Sequence, residues 1–368
     1  MECSYFGECG SCTLFELNYE NQLNFKISEL KKEFDIPVFS TFESKRSFYR
    51  NRAEFKIFHQ ENRIDFAMSG TKTRYTTIKN CPKADENINF LMPKLKEYLQ
   101  GSEILSNKLF RVEFLSSKDE MLITLIYHKP LTKEWEEKAR LLAKELKIGV
   151  IGRSRGVKIV IDKEFVKERL NILKKEYHFN FYEGSFTQPN RSVNEKMIGW
   201  VKNEINSHKK SDLLELYCGH GNFTIPLSES FNLVLATEIS KKSIKSAHEN
   251  MILNGVKNIS FVRLSSEELV EALNESREFK RLSSINLKEY NFSHILVDPP
   301  RAGLDKASLN FIKDFQNIIY ISCNPSTLFR DLHLLKKTHK ISSFAFFDQF
   351  PYTNHLECGV ILKPIKEL

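Results

Sequence analysis

NIIYISCNPSTL, residues 317–328, decides the fold. Ile318, Ile319, Tyr320 and Ile321 form a β-branched and aromatic run that reads as a buried strand. Asn324-Pro325 stops it at once. Cys323 therefore stands where a strand ends and a loop begins. In an open parallel sheet that edge is where ligands bind. Taken alone, the residue has two readings: a buried structural thiol, since free Cys is often buried, or a nucleophile.

Outward from this strand the same pattern recurs. Strands are expected at 212–217, 232–237, 259–263 and 293–298, with a final pair near 343–348 and 357–362. Helical patterns separate most of them, beginning with Val193, Met197, Trp200 and Val201 on one face after the turn-rich GSFTQPN at 184–190. Such alternation predicts an α/β, doubly wound parallel sheet.

Three strand ends carry chemistry. LLELYCGHGNF (213–223) runs into a Gly219-x-Gly221 turn that lets a ligand approach the backbone. The third glycine of the dinucleotide fingerprint is replaced by Thr224. The next strand ends in Glu238, 17 residues past Gly221, where an acid can hold both ribose hydroxyls. A nucleoside cofactor without a pyrophosphate suits this turn better than NAD, and S-adenosylmethionine is the natural choice. The alternative is an ordinary βα turn. SHILVDPPRAGL (293–304) ends in Asp298-Pro299-Pro300, which presents a carboxylate at the same edge as Cys323, with Arg301 beside it. PYTNHLECGVIL (351–362) places His355 and Glu357 just before a strand. A carboxylate near Cys323 can remove a proton from substrate; the other reading of Glu357 is a surface acid.

The first half of the chain is patterned differently. Residues 14–35 read as a helix with Ile27, Leu30 and Phe34 on one face, closed by Pro37. In SFYRNRAEFKIF (47–58), Tyr49, Asn51, Ala53, Phe55 and Ile57 alternate with Arg50, Arg52, Glu54 and Lys56. That is a half-exposed strand with a cationic face, able to touch phosphate or simply solvated. A helix is expected over 87–99, a hairpin over 108–128 turning at 117–119, and an amphipathic helix over 133–147. Residues 148–161 read as strand, and 164–172 take no assignment. The middle is thus α+β, with a boundary near residue 180.

The chain has 368 residues and a formal charge of +8, compatible with a polyanionic partner. No apolar run approaches the ~20 residues a membrane-spanning helix needs. The N-terminus, MECSYFGECGSC, is acidic and unlike a signal peptide, so a cytoplasmic location is expected. Seven cysteines, an odd number, argue for metal binding or catalysis over a disulfide framework. Cys3, Cys9 and Cys12 lie close together on a glycine-bearing loop, and Cys81, followed by a proline, is the candidate fourth ligand. An iron–sulfur cluster, a zinc ion, or unligated thiols at a frayed end each fit.

LLELYCGHGNF, FVRL, VDPPRAGLD, YISCNPSTL and DQFPYTNHLECGVIL closely resemble the uracil-C5 RNA methyltransferase family. FYRNRAEFKI, SFTQPN and DQFPYTNHLECGVIL look most like its tRNA branch, which forms ribothymidine in the T-loop. The resemblance runs from about residue 45 to the end. It implies a Rossmann-like methyltransferase domain over 181–368, an RNA-binding α+β domain over 41–180 and a Cys-cluster segment with a helix over 1–40. It implies that Cys323 attacks uracil C6 and that Glu357 is the base. It places Gln188, Tyr217, Asn222, Glu238 and Asp298 around S-adenosylmethionine, with Gln188 and Asp298 also near the uracil. Arg50, Arg52, Phe110 and Arg301 become candidate RNA contacts. Expected partners are tRNA and tRNA-like RNA such as tmRNA, for a monomeric enzyme without membrane contact.

The four-cysteine set departs from this branch. It resembles the 4Fe–4S site of the ribosomal-RNA members, and the best-known bacterial tRNA members lack it. The small barrel that precedes the cluster in the rRNA enzymes is expected to be absent. Methylation of 23S rRNA is therefore one alternative, and a tRNA-folding protein with incidental methylation is another. Asp-Pro-Pro also suits exocyclic-amine methyltransferases, which would not need Cys323.

Overall fold

The computed structural model describes residues 1–36, 38–61, 63–205 and 210–365. Asn18 opens helix α1 (Tyr19–Glu33) by accepting the Asn21 amide at 2.8 Å, which satisfies one of the amides a helix start leaves unpaired. Pro37, expected to close this helix, lies outside the described residues. Strand β1 (Ser40–Phe42) follows.

Strands β2 (Arg52–Gln60), β3 (Arg63–Ser69), β4 (Tyr75–Ile78), β5 (Leu109–Ser116), β6 (Met121–Tyr127), β7 (Gly149–Ser154) and β8 (Val157–Ile161) form one sheet in the order β4-β3-β2-β5-β6-β7-β8. All neighbours are antiparallel except β6 and β7, which a helix over Lys133–Leu146 joins. The expected alternation in β2 holds: Ala53, Phe55 and Ile57 face a core closed by Leu91, Leu95, Trp135 and Leu142 of the two helices Glu86–Gln100 and Lys133–Leu146.

Strands β9 (Phe165–Ile172) and β10 (Lys175–Tyr182) make a separate antiparallel hairpin. The stretch left unassigned from sequence is therefore a strand. Val166, Leu170 and Ile172 share its inner face with Glu168, a charge inside an apolar alternation. Arg191 compensates that buried carboxylate at 2.7 Å.

The remaining strands are β11 (Asp212–Leu216), β12 (Val234–Thr237), β13 (Ile259–Val262), β14 (Phe292–Val297), β15 (Asn317–Ser322), β16 (His339–Phe347) and β17 (Glu357–Pro364). Their sheet runs β1-β16-β17-β15-β14-β11-β12-β13. From β15 through β13 every pairing is parallel, as expected. The departure is β17, which inserts antiparallel between β15 and β16. The expected Cys-cluster segment with a helix, 1–40, leads into β1, which pairs parallel with β16, and its Leu23, Ile27 and Phe34 join the core under β14, β15 and β17. Phe34 stacks on Phe329 with ring centroids 4.8 Å apart. The start of the chain is thus built onto its last sheet.

Candidate active site

The antiparallel insertion brings two reactive groups to one edge. Ser322, the last residue of β15, pairs with Cys358 of β17. One step further, Cys323 leaves the sheet where Glu357 enters it. Asp298 ends the adjoining strand β14. Glu357 is buried, and its Oε2 has no hydrogen-bond partner. Burial, with the charge of Asp298, pushes its carboxyl up to about 8, against the pull of Arg301. Burial alone raises Asp298 to about 7. Cys323 is raised to about 11, first by burial, then by Glu357 and Asp298, while Arg301 opposes them. The cleft beside Cys323 is lined by Arg301, Asn324 and His355 and by Phe25 and Lys26 of α1. Asn324 Nδ2 and Thr327 Oγ1 both donate to the Arg301 carbonyl, at 2.9 and 3.3 Å, which holds the loop after Asp298 onto the loop after Cys323.

The neighbouring strand ends form the other half. Gly219 and Gly221 both take positive φ, at 57° and 86°, a conformation that favours glycine. A Cβ on Gly219 would meet no atom within 4 Å, so the backbone there faces open space. Glu238 closes the turn: its Oε2 accepts from the Gly219 amide at 3.2 Å and its Oε1 from the Ser240 amide at 2.8 Å. Tyr217 bonds Ser266 through its hydroxyl at 2.9 Å. Asn222 is locked amide to amide with Asn194, at 2.8 and 2.9 Å. Gln188 accepts from Gln349 Nε2 at 2.9 Å. Asn194 and Gln349 were not found from sequence, since they lie 28 and 161 residues from their partners. Glu215 was also missed. It is a buried carboxyl on β11, pushed up to about 8 by burial and by Asp298, with Oε2 unpartnered. The one readable signal was a charge inside the apolar run LLELY.

The candidate RNA contacts fall into two groups. Arg50 donates to the Arg52 carbonyl at 2.8 Å and lies over the Phe350 ring, and Arg52 donates to the Ser185 carbonyl at 2.7 Å. Both therefore tie the seven-stranded sheet to loops at the site. Phe110, stacked on His128 at 4.4 Å, and exposed Arg301 keep accessible surface. Cys3, Cys9, Cys12 and Cys81 line one small cavity. Burial raises the Cys12 thiol to about 11. Lys83 donates to Ser11 inside the same loop, at 2.9 and 2.7 Å. Among the described residues no three His, Cys, Asp or Glu side chains are grouped to hold a metal ion. No described helix is long and apolar enough to cross a membrane.

A sheet with its antiparallel strand inserted beside β15, a glycine turn after β11 and an acid closing β12 is the Rossmann-like fold of S-adenosylmethionine-dependent methyltransferases. A structure of the tRNA (uracil-54, C5)-methyltransferase of Pyrococcus abyssi with S-adenosyl-L-homocysteine shares this fold. The TM-score is 0.75 at 23% identity, over 96% of this chain and 86% of that one. The tRNA (Uracil-5-)-methyltransferase family model matches residues 18–365, and the chain belongs to that family. Proteins named tRNA/tmRNA (uracil-C(5))-methyltransferase are 52% identical in Nitratiruptor sp. (98% of this chain, 99% of the relative) and 51% identical in Aliarcobacter butzleri (100% of each).

Proposed function

We propose that this chain methylates C5 of a uracil in tRNA, the T-loop uridine at position 54, and the corresponding uracil of tmRNA. The observation that carries the reading is that Cys323 and Glu357 flank the Ser322–Cys358 pair at one sheet edge, with Glu357 buried and its Oε2 unpartnered. Uracil C5 is a weak nucleophile. Attack of the Cys323 thiolate on C6 forms a C–S bond and moves the ring's double-bond electrons onto O4, which makes C5 reactive. Gln188, Tyr217, Asn222, Glu238 and Asp298 would hold S-adenosylmethionine, which would give its methyl group to C5 and leave as S-adenosylhomocysteine. Glu357 then takes the C5 proton, the ring double bond re-forms and the thiolate leaves C6. A base with a pKa near the working pH suits that step, and Glu357 at about 8 has one. Arg301 tempers the negative field of the two carboxylates at the thiol. The base must leave its stack to reach Cys323, at a cost of a few kcal/mol that is smaller in a loop. Residues 41–180, with Phe110 at their surface, hold the RNA.

The same reading assigns Cys3, Cys9, Cys12 and Cys81 to a 4Fe–4S cluster. All four cysteines line one cavity, and four thiolates are the usual ligand set of such a cluster.

Mixing the protein with 5-fluorouracil-substituted tRNA and S-adenosylmethionine tests the whole scheme. Fluorine at C5 cannot leave as a proton does, so the adduct persists on a denaturing gel. A band that disappears in Cys323→Ala is expected. A band with rRNA but not tRNA would change the substrate and keep the chemistry. No band with either would overturn the nucleophile and favour amine methylation.

A further inference from the structure

Glu357 begins β17 and pairs with Phe347, the last residue of β16. The nine residues between, 348–356, form the loop that leads directly into the base. That loop is gripped by the first thirty residues of the chain. Lys26 of α1 donates to Asp348 Oδ1 at 2.8 Å and to the Phe350 carbonyl at 3.0 Å. Both charged side chains are 1% exposed. Gln22, one turn earlier on α1, accepts the Tyr352 amide at 2.8 Å, and the Tyr352 carbonyl accepts the Thr13 amide at 2.9 Å. Tyr352 itself sits at φ 64°, a left-handed conformation that is uncommon and costly for a residue with a side chain. The loop is thus held in a strained shape from outside, and Lys26 also forms part of the wall of the Cys323 cleft.

We propose that Lys26 is a positioning residue for proton abstraction: by gripping Asp348 and the Phe350 carbonyl it holds the loop that sets Glu357 over the reacting carbon. The inference rests on the proposed roles of Cys323 and Glu357. A buried pair of this kind is weak grounds for stability, but it fixes geometry, and catalysis is sensitive to that: a displacement of about 1 Å can lower a rate about a hundredfold. Lys26 acts after the nucleophile has attacked. Its loss should leave attack on C6 intact and slow the step that releases the enzyme.

The test uses the full-length Lys26→Met protein with ordinary tRNA and S-adenosylmethionine. Turnover should fall by up to about a hundredfold, while the fraction of enzyme covalently bound to unsubstituted tRNA rises. The rate of adduct formation with 5-fluorouracil tRNA should stay at the parent's value. Lys26→Arg, which keeps a cation able to reach both oxygens, should restore release. A protein that merely folds less well would show fewer adducts, not more. Unchanged turnover, or turnover lost without adduct build-up, would overturn the proposal. If Lys26→Met does not fold, Lys26→Met/Asp348→Asn leaves no lone buried charge, and the same two outcomes decide. Absence of any 5-fluorouracil adduct in the parent would instead remove the reading of Cys323 on which this one stands.

Discussion

Replacing Glu357 by Gln should make the protein more stable at alkaline pH while abolishing turnover. The carboxyl is buried with one oxygen unpaired, and its pKa rises from 4.5 to about 8 on folding. A raised carboxyl binds its proton more tightly in the folded state, so the stability it permits is present at low pH. That stability is lost progressively between about pH 4.5 and pH 8, as the folded group is forced to ionise. With ~1.36 kcal/mol per unit, the cost of Glu357 is about 2 kcal/mol at about pH 6 and nearly 5 kcal/mol at about pH 9. The parent should therefore lose about 3 kcal/mol more than Glu357→Gln between those two conditions, roughly 4 °C in melting temperature for a chain of this size. Melting curves of both proteins across that range measure it, and other titrating groups largely cancel in the difference. Parallel stability profiles for the two proteins would refute the claim that Glu357 is an uncompensated buried acid.

Three further outcomes are expected. Alkylation of Cys323 by iodoacetamide, followed by peptide mass spectrometry, should climb about tenfold per pH unit from neutrality to about pH 10, because burial and two carboxylates hold the thiol at about 11. At about pH 9 the rate should be faster in Glu357→Gln; a plateau near neutrality would refute the raised thiol. Gly359→Ala should destabilise by about 1–3 kcal/mol, since its Cβ would lie 2.5 Å from Trp200 Cζ3 and 3.0 Å from Phe347 Cε2; chemical denaturation reads this directly. On the proposed cluster, the parent purified without oxygen should contain iron and sulfide and Cys81→Ser should lose them; equal iron in both would exclude Cys81 as a ligand, and a parent without iron would refute the cluster.

What the sequence made legible follows from how local each signal was. Cys323, Asp298 and Glu238 each end a strong apolar run, so their place at a sheet edge could be read from a few neighbours. The direction of β17 could not, because an antiparallel buried strand and a parallel one have the same apolar composition. Strand β1 is three residues long and carries no alternation, so its membership in the last sheet has no local sign. Arg50 and Arg52 read as a cationic face because alternation shows which side a residue takes, not what is packed there. Gln349, Asn194 and Lys26 act through partners far along the chain, and single residues without a pattern leave nothing to count.

The pairing of β1 with β16 also has a consequence for how the molecule comes into being. The ribosome makes α1 and β1 within the first forty-two residues and their partners about three hundred residues later. At about 5–20 residues per second that is a wait of roughly fifteen to sixty seconds. Meanwhile Leu23, Ile27 and Phe34 have no core to enter. The seven-stranded sheet, complete by Ile161, can fold in the interval; the eight-stranded one cannot close until the last strand emerges. A chain cut short before Glu357 would lose the proposed base and leave its own beginning exposed, which makes truncated copies targets for aggregation and proteolysis rather than slow enzymes.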